Sequence, residues 1–121
     1  MTEAPTFTRA DLQQFTGSEH WYRHAFVRDV LFTDGAKFVA DRAGAYWLLD
    51  EIAFAQRSTR VGREEFQVWK LAVNPDHTAR LTCEDGNGNT VKAKRIPYTD
   101  FPLEGIELFY TNKTILLPSE N

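Results

Sequence analysis

His20 and His24 bracket Trp21, Tyr22 and Arg23, the densest polar and aromatic cluster of the chain. On a helix, the two imidazoles stack at i and i+4, as a metal site on one helix face requires. A third ligand would come from Glu19, Asp29 or His77. The zinc-protease pattern needs Glu directly after the first His, and Trp21 stands there. On a strand, His20, Tyr22 and His24 share one face and Trp21, Arg23 and Ala25 the other. The segment then reads as a half-buried edge whose polar tips bond their neighbours.

Trp47, Asp50, Glu51 and Phe54 fall at i, i+3, i+4 and i+7 of a predicted helix, so two aromatics flank two carboxylates away from its apolar stripe. Aromatic surfaces with few charges characterise interfaces. With Trp21, Tyr22 and Arg23, these four residues form the candidate protein-binding set. The competing role for Trp47 and Phe54 is packing under the sheet edge or the Trp21 segment. Asp50 and Glu51 point about 100° apart, which makes them a poor acid–base pair.

Lys70, Arg80, Lys92 and Lys94 are expected on one sheet face with Arg95 nearby, provided Val91 and Ala93 face the core beside Leu81. Such a face suits phosphates or an acidic protein, or it is a solvated face whose lysines discourage edge pairing. Phe66 and Phe109 are the aromatics available there, thin support for base stacking. Asp85-Gly86-Asn87-Gly88-Asn89 fails as a calcium loop, because the sharp-turn Gly would fall at Thr90 and the bidentate Glu at Ile96. It reads as a hairpin turn. Cys83 lies on the core face of its strand and reads as a buried small hydrophobe, not a nucleophile. No nucleophile elbow or P-loop is present.

These residues need elements to hold them. Thr8-Arg9-Ala10-Asp11 resembles a capping box and starts a short helix over about 8–15. Residues 18–32 read equally as strand or helix. Thr33-Asp34-Gly35 starts a helix that Gly44 closes, and residues 45–57 form a second with a broad stripe of Leu48, Leu49, Ile52 and Ala53. From Phe66 onward the pattern alternates with period 2, giving strands over 66–73, 79–84, 90–96, 106–110 and 114–117. The expected fold is α+β: N-terminal helices on one face of a four- or five-stranded antiparallel meander. One domain spans 8–117, with a helical half over 8–57 and a sheet half over 66–117, between tails at 1–7 and 118–121.

The totals narrow the function classes. With 121 residues, 42% hydrophobic and 13% aromatic, the chain builds a core without disulfides or metal. A net charge of −3 lacks the basic excess of a general nucleic-acid binder. One cysteine and no signal-like start point to the cytoplasm, and no apolar run is long enough for a membrane span.

Several strings carry a resemblance: Gln14-Phe15-Thr16-Gly17, Trp21-Tyr22-Arg23-His24, Tyr46-Trp47-Leu48-Leu49-Asp50-Glu51-Ile52-Ala53, Trp69-Lys70-Leu71, Thr82-Cys83-Glu84-Asp85-Gly86-Asn87-Gly88-Asn89, Thr99-Asp100-Phe101-Pro102-Leu103 and Leu116-Leu117-Pro118-Ser119. Together they resemble an uncharacterised family of short bacterial proteins found in phages, plasmids and other mobile elements. The resemblance runs from Ala10 onward. It carries over no catalytic or binding residue, and it implies an accessory or anti-defence factor that binds host machinery.

The expected function is therefore a non-catalytic protein-binding accessory factor of a mobile element, with no cofactor. Its expected partner is a host-defence component or another host or mobile-element protein, with a homodimer left open. The alternative is a nucleic-acid module using Lys70, Arg80, Lys92, Lys94 and Arg95. The third reading is a small metal-dependent hydrolase using His20 and His24.

Overall fold

The computed structural model describes residues 7–17 and 19–121. Local chemistry sets most element ends. Thr8 and Asp11 form a reciprocal capping box at helix α1 (Arg9–Gln13). Two three-residue strands follow, β1 (Trp21–Arg23) and β2 (Leu31–Thr33). The Thr33 hydroxyl accepts from the Ala36 N–H to start α2 (Asp34–Ala43), and Gly44, at φ +60°, ends it in the left-handed region. Helix α3 (Tyr46–Ala55) has no side-chain cap and is held by its apolar stripe. The expected 58–65 loop contains a single turn, α4 (Thr59–Gly62). Strands β3 (Phe66–Val73), β4 (Ala79–Glu84), β5 (Thr90–Ile96), β6 (Gly105–Thr111) and β7 (Thr114–Leu116) complete the chain.

The described strands form one sheet of seven in the order β1-β2-β7-β6-β3-β4-β5. The α+β class stands, but the expected four- or five-stranded antiparallel meander does not. Strands β2 and β7 pair parallel, with Phe32 beside Ile115. After β5, the chain returns along the sheet end and lays β6 antiparallel on the far side of β3. Two strands also come from the half expected to be helical, so the halves interleave. Short aromatic runs carry no clear period, and a parallel neighbour at sequence distance leaves no local signature.

Helices α2 and α3 cover one sheet side. Trp69, Leu71, Leu81, Cys83, Leu108 and Ile115 are buried there in one cluster with Val39, Leu48, Leu49 and Ile52. Each large aliphatic side chain buried in this way contributes about 1.5–3 kcal/mol. On the other side Phe66, Val68 and Lys70 of β3 are half-buried.

The expected tails need correction at both ends. Phe7 is buried, its ring 6.0 Å from Phe38 and 6.1 Å from Phe101. Residues 1–6 of that tail lie outside the described residues. At the other end, Pro118–Glu120 form a 3-10 turn. Its Glu120 carboxylate accepts from the Thr33 hydroxyl at 2.7 Å and the Gly35 N–H at 3.0 Å.

Candidate functional site

The loop between β1 and β2 is built around His24, which is 4% exposed. Its Nδ1 accepts backbone N–H bonds from Phe26 at 3.1 Å and Val27 at 3.0 Å. An accepting Nδ1 puts the ring proton on Nε2, which donates to Asp50 Oδ1 of α3 at 2.7 Å. The backbone closes the same loop, with His24 N–H donating to the Val30 carbonyl and Val30 N–H to Val27. Both ring nitrogens are thus occupied, and the geometry makes His24 a clamp between loop and helix.

The clamp presents two aromatic rings. Phe26 is 68% exposed and Phe54 is 40% exposed. Their rings stack with centroids 6.2 Å apart and planes 22° apart. The His24 ring meets both edge-on, at 6.1 Å from Phe26 and 5.8 Å from Phe54. The Arg57 guanidinium lies 5.1 Å from the Phe54 centroid. Further along α3, Trp47 and Glu51 line a cleft of about 370 Å³ with Ile96 and Tyr98, and Lys94 Nζ meets Glu51 at 2.7 Å. The apolar stripe of α3 faces the sheet, so Trp47, Asp50, Glu51 and Phe54 fall on its solvent margin as their spacing requires.

The other three candidate protein-binding residues do not join this surface as a group. Trp21 is exposed and lines a separate cleft with Thr114, Leu116 and Glu120. Tyr22 stacks on Phe32, and its hydroxyl donates to Asp34 at 3.0 Å. That bond to a carboxylate holds the Tyr22 phenol above its ordinary value. Partial desolvation opposes ionisation of Asp34, but bonds from Tyr22 and from the backbone of His20 and Glu19 hold its carboxyl below the usual range. Arg23 reaches the Phe26 loop, where its guanidinium donates to the Arg28 carbonyl.

The metal reading loses its geometry. His20 and His24 flank a strand, not a helix turn; His20 sits 3.7 Å from Asp34 while His24 is buried against Asp50. Among the described residues, no group of three or more His, Cys, Asp or Glu side chains is placed to hold a metal ion.

The basic face is also divided. Arg80 pairs with Arg95, but Leu81 pairs with Lys94 and Cys83 with Lys92, which puts Lys92 and Lys94 on the helix-bearing side. The cause is a register shift at Cys83/Glu84, where one extra residue on β5 turns Lys92 to Ile96 over relative to an unbulged hairpin. Ala93 therefore sits opposite Thr82 on the outer side, not beside Leu81. Lys70 stays outward and pairs with Glu84 at 3.2 Å.

Cys83 is buried, and burial pushes its thiol up to about 12, which leaves a protonated, unreactive group at neutral pH. A groove of about 520 Å³ lies between α1 and the sheet end, lined by Leu12, Ile106, Leu117 and Pro118 with Arg9 and Glu107.

Sequence reasoning missed Phe26, Arg28 and Arg57. Phe26 follows His24 by two residues, and the only local signal was a histidine placed to accept from the turn after it. No helix among the described residues is long and apolar enough to cross a membrane. A profile described as a family of unknown function matches residues 6–121. No curated protein and no solved structure matches the chain.

Proposed function

The chain belongs to that family, DUF6876, and we propose that it is a non-catalytic protein-binding module whose contact surface is the Phe26–Phe54 ring pair on the solvent side of α3. The observation that carries this reading is a pair of stacked, solvent-facing phenyl rings fixed by a buried histidine clamp. Exposed aromatics on a soluble domain cost solvation free energy, and rigid ones bind with little ordering entropy to lose. Aromatic anchors of this kind dominate interface energetics.

A host-defence component as the partner is supported by the resemblance to short phage and plasmid proteins. The surface itself asks for an apolar pocket that receives two rings. The nucleic-acid alternative is weaker than the sequence suggested, because its five cations occupy two sides of the sheet.

Affinity capture from a host lysate tests the reading. The Phe26→Ser/Phe54→Ser double variant should lose a specific protein partner, by about 30-fold or more in affinity once that partner is purified, with unchanged circular dichroism. Trp21→Ala, in its separate cleft, should retain it. Retention by the double variant, or loss through Trp21→Ala alone, would move the interface elsewhere.

A further inference from the structure

Resting on that reading of the Phe26–Phe54 surface, we infer that its partner is an acidic protein segment, one that sets an aliphatic or aromatic anchor on the ring pair and carboxylates on the arginines around it. The carboxylates near the rings are already engaged within the chain. Asp50 accepts from His24, Glu51 pairs with Lys94, and Asp29, in the same loop as Phe26, is turned to Lys113 at 3.8 Å. The cations are not. Arg28, two residues beyond Phe26, and Arg57, over the Phe54 ring, are both exposed, and neither has a carboxylate partner among the described residues. Arg23 likewise has no carboxylate partner there; its guanidinium bonds the Arg28 carbonyl and brings a third positive charge to the loop.

The local surface is therefore apolar at its centre and positive at its rim, on a chain whose net charge is −3. Guanidinium groups bind carboxylates in a bidentate fork, and rim charges steer encounter more than they add final affinity. An acidic segment satisfies both parts of this surface. A single-stranded nucleic acid would also stack on the rings, but it needs a basic groove that follows its backbone over several nucleotides, and the cations argued for this rim are Arg23, Arg28 and Arg57 alone.

A peptide-display selection on the intact chain, counter-selected against Phe26→Ser/Phe54→Ser, recovers only peptides that need the rings. Recovered peptides are then titrated as selected, and again with every Asp and Glu replaced by Asn and Gln. They are also titrated against Arg28→Gln/Arg57→Gln, whose folding is checked first, because Arg57 lies just past the α3 C-terminus and complements its dipole. The expected result is enrichment of Asp and Glu beside Phe or Leu, with about tenfold or greater weakening on either change, most of it in the association rate and lost at high salt. Ring-dependent peptides without acidic enrichment, or an effect below about twofold, would overturn the acidic partner and leave the protein-binding reading standing. No ring-dependent peptide at all would remove both. An oligothymidylate of about twelve nucleotides that binds as tightly as the peptides and is lost with the same variants would also overturn the acidic segment, by making the ligand a nucleic acid.

Discussion

His24 Nε2 lies 2.7 Å from Asp50 Oδ1 and ties the loop after β1 to the exposed side of α3. The two residues meet because the β1–β2 hairpin pairs at the sheet edge beside β7, α2 packs on that edge, and α3 packs against α2. One imidazole thereby serves three donor–acceptor relationships, and its removal has separable consequences.

His24→Ala takes the acceptor from the Phe26 and Val27 N–H groups and leaves a cavity against Phe54. The expected cost is about 2–4 kcal/mol in urea denaturation. Asp50→Asn keeps an oxygen acceptor for Nε2–H and should cost less than about 1 kcal/mol. Amide exchange at Phe26 and Val27 should accelerate in His24→Ala beyond what the global stability loss explains. Equal exchange rates in wild type and variant would show that the loop is held by its backbone bonds alone.

Gln67 is fully buried on β3 and organises the turn after α3. Its Oε1 accepts from Gln56 at 2.7 Å and Trp69 Nε1 at 2.9 Å, while its Nε2 donates to the Val61 carbonyl at 2.9 Å. Gln67→Leu nearly conserves volume but strands these groups in a low-dielectric interior. A loss of about 2–4 kcal/mol is expected, followed by urea denaturation and tryptophan emission. A neutral outcome would mean that water replaces the amide.

A Cβ at Gly35 would lie 2.5 Å from Glu120 Oε1 and 2.7 Å from Leu117 Cδ1. In an unobstructed helix, Gly→Ala stabilises by about 0.4–1 kcal/mol. Here Gly35→Ala should instead destabilise by about 1–3 kcal/mol, because it pushes the C-terminal turn off α2. In a Glu120→Ala background the cost should shrink by at least about 0.5 kcal/mol, as a double-mutant cycle would read it. Strict additivity would place the steric conflict elsewhere.

Stability should fall as pH rises through the alkaline range. Burial raises the Cys83 thiol from its ordinary 9.0 to about 12 and the Tyr110 phenol from 10.0 to about 12. The unfolded chain therefore releases these protons first. Their contribution is complete below about pH 9 and is lost as pH approaches about 12. Urea midpoints over that window should decline, and Cys83→Ala should flatten the lower part of the decline. Iodoacetamide at about pH 8 should label Cys83 only in unfolded protein.

The outer sheet face shows how one residue limits inference from sequence. The Asp85–Asn89 turn and both flanking strands were readable, down to their ends, from Gly and Asn placement and period-2 alternation. The facing of Lys92 and Lys94 was not. A bulge adds one residue without any compositional mark, and one residue inverts every side chain after it. The burial of Ile96 opposite Ala79 is the product of that inversion.

The candidate site divides along similar lines. Helical spacing alone put Trp47, Asp50, Glu51 and Phe54 on the margin of α3, because amphipathic periodicity reports which way a helix faces. Strand alternation identified Cys83 as a core residue, and cap chemistry marked Thr33 and Gly44 as helix boundaries, since caps and alternation are local properties. Whether His24 bound metal or bonded its neighbours in a half-buried edge depended on which residue lay across from it, and Asp50 is 26 positions away. The parallel pairing of β2 with β7, the passage of β6 beside β3 and the exposure of Phe26 depend in the same way on contacts between distant segments. They were decided when the sheet assembled and the helices closed over one side of it.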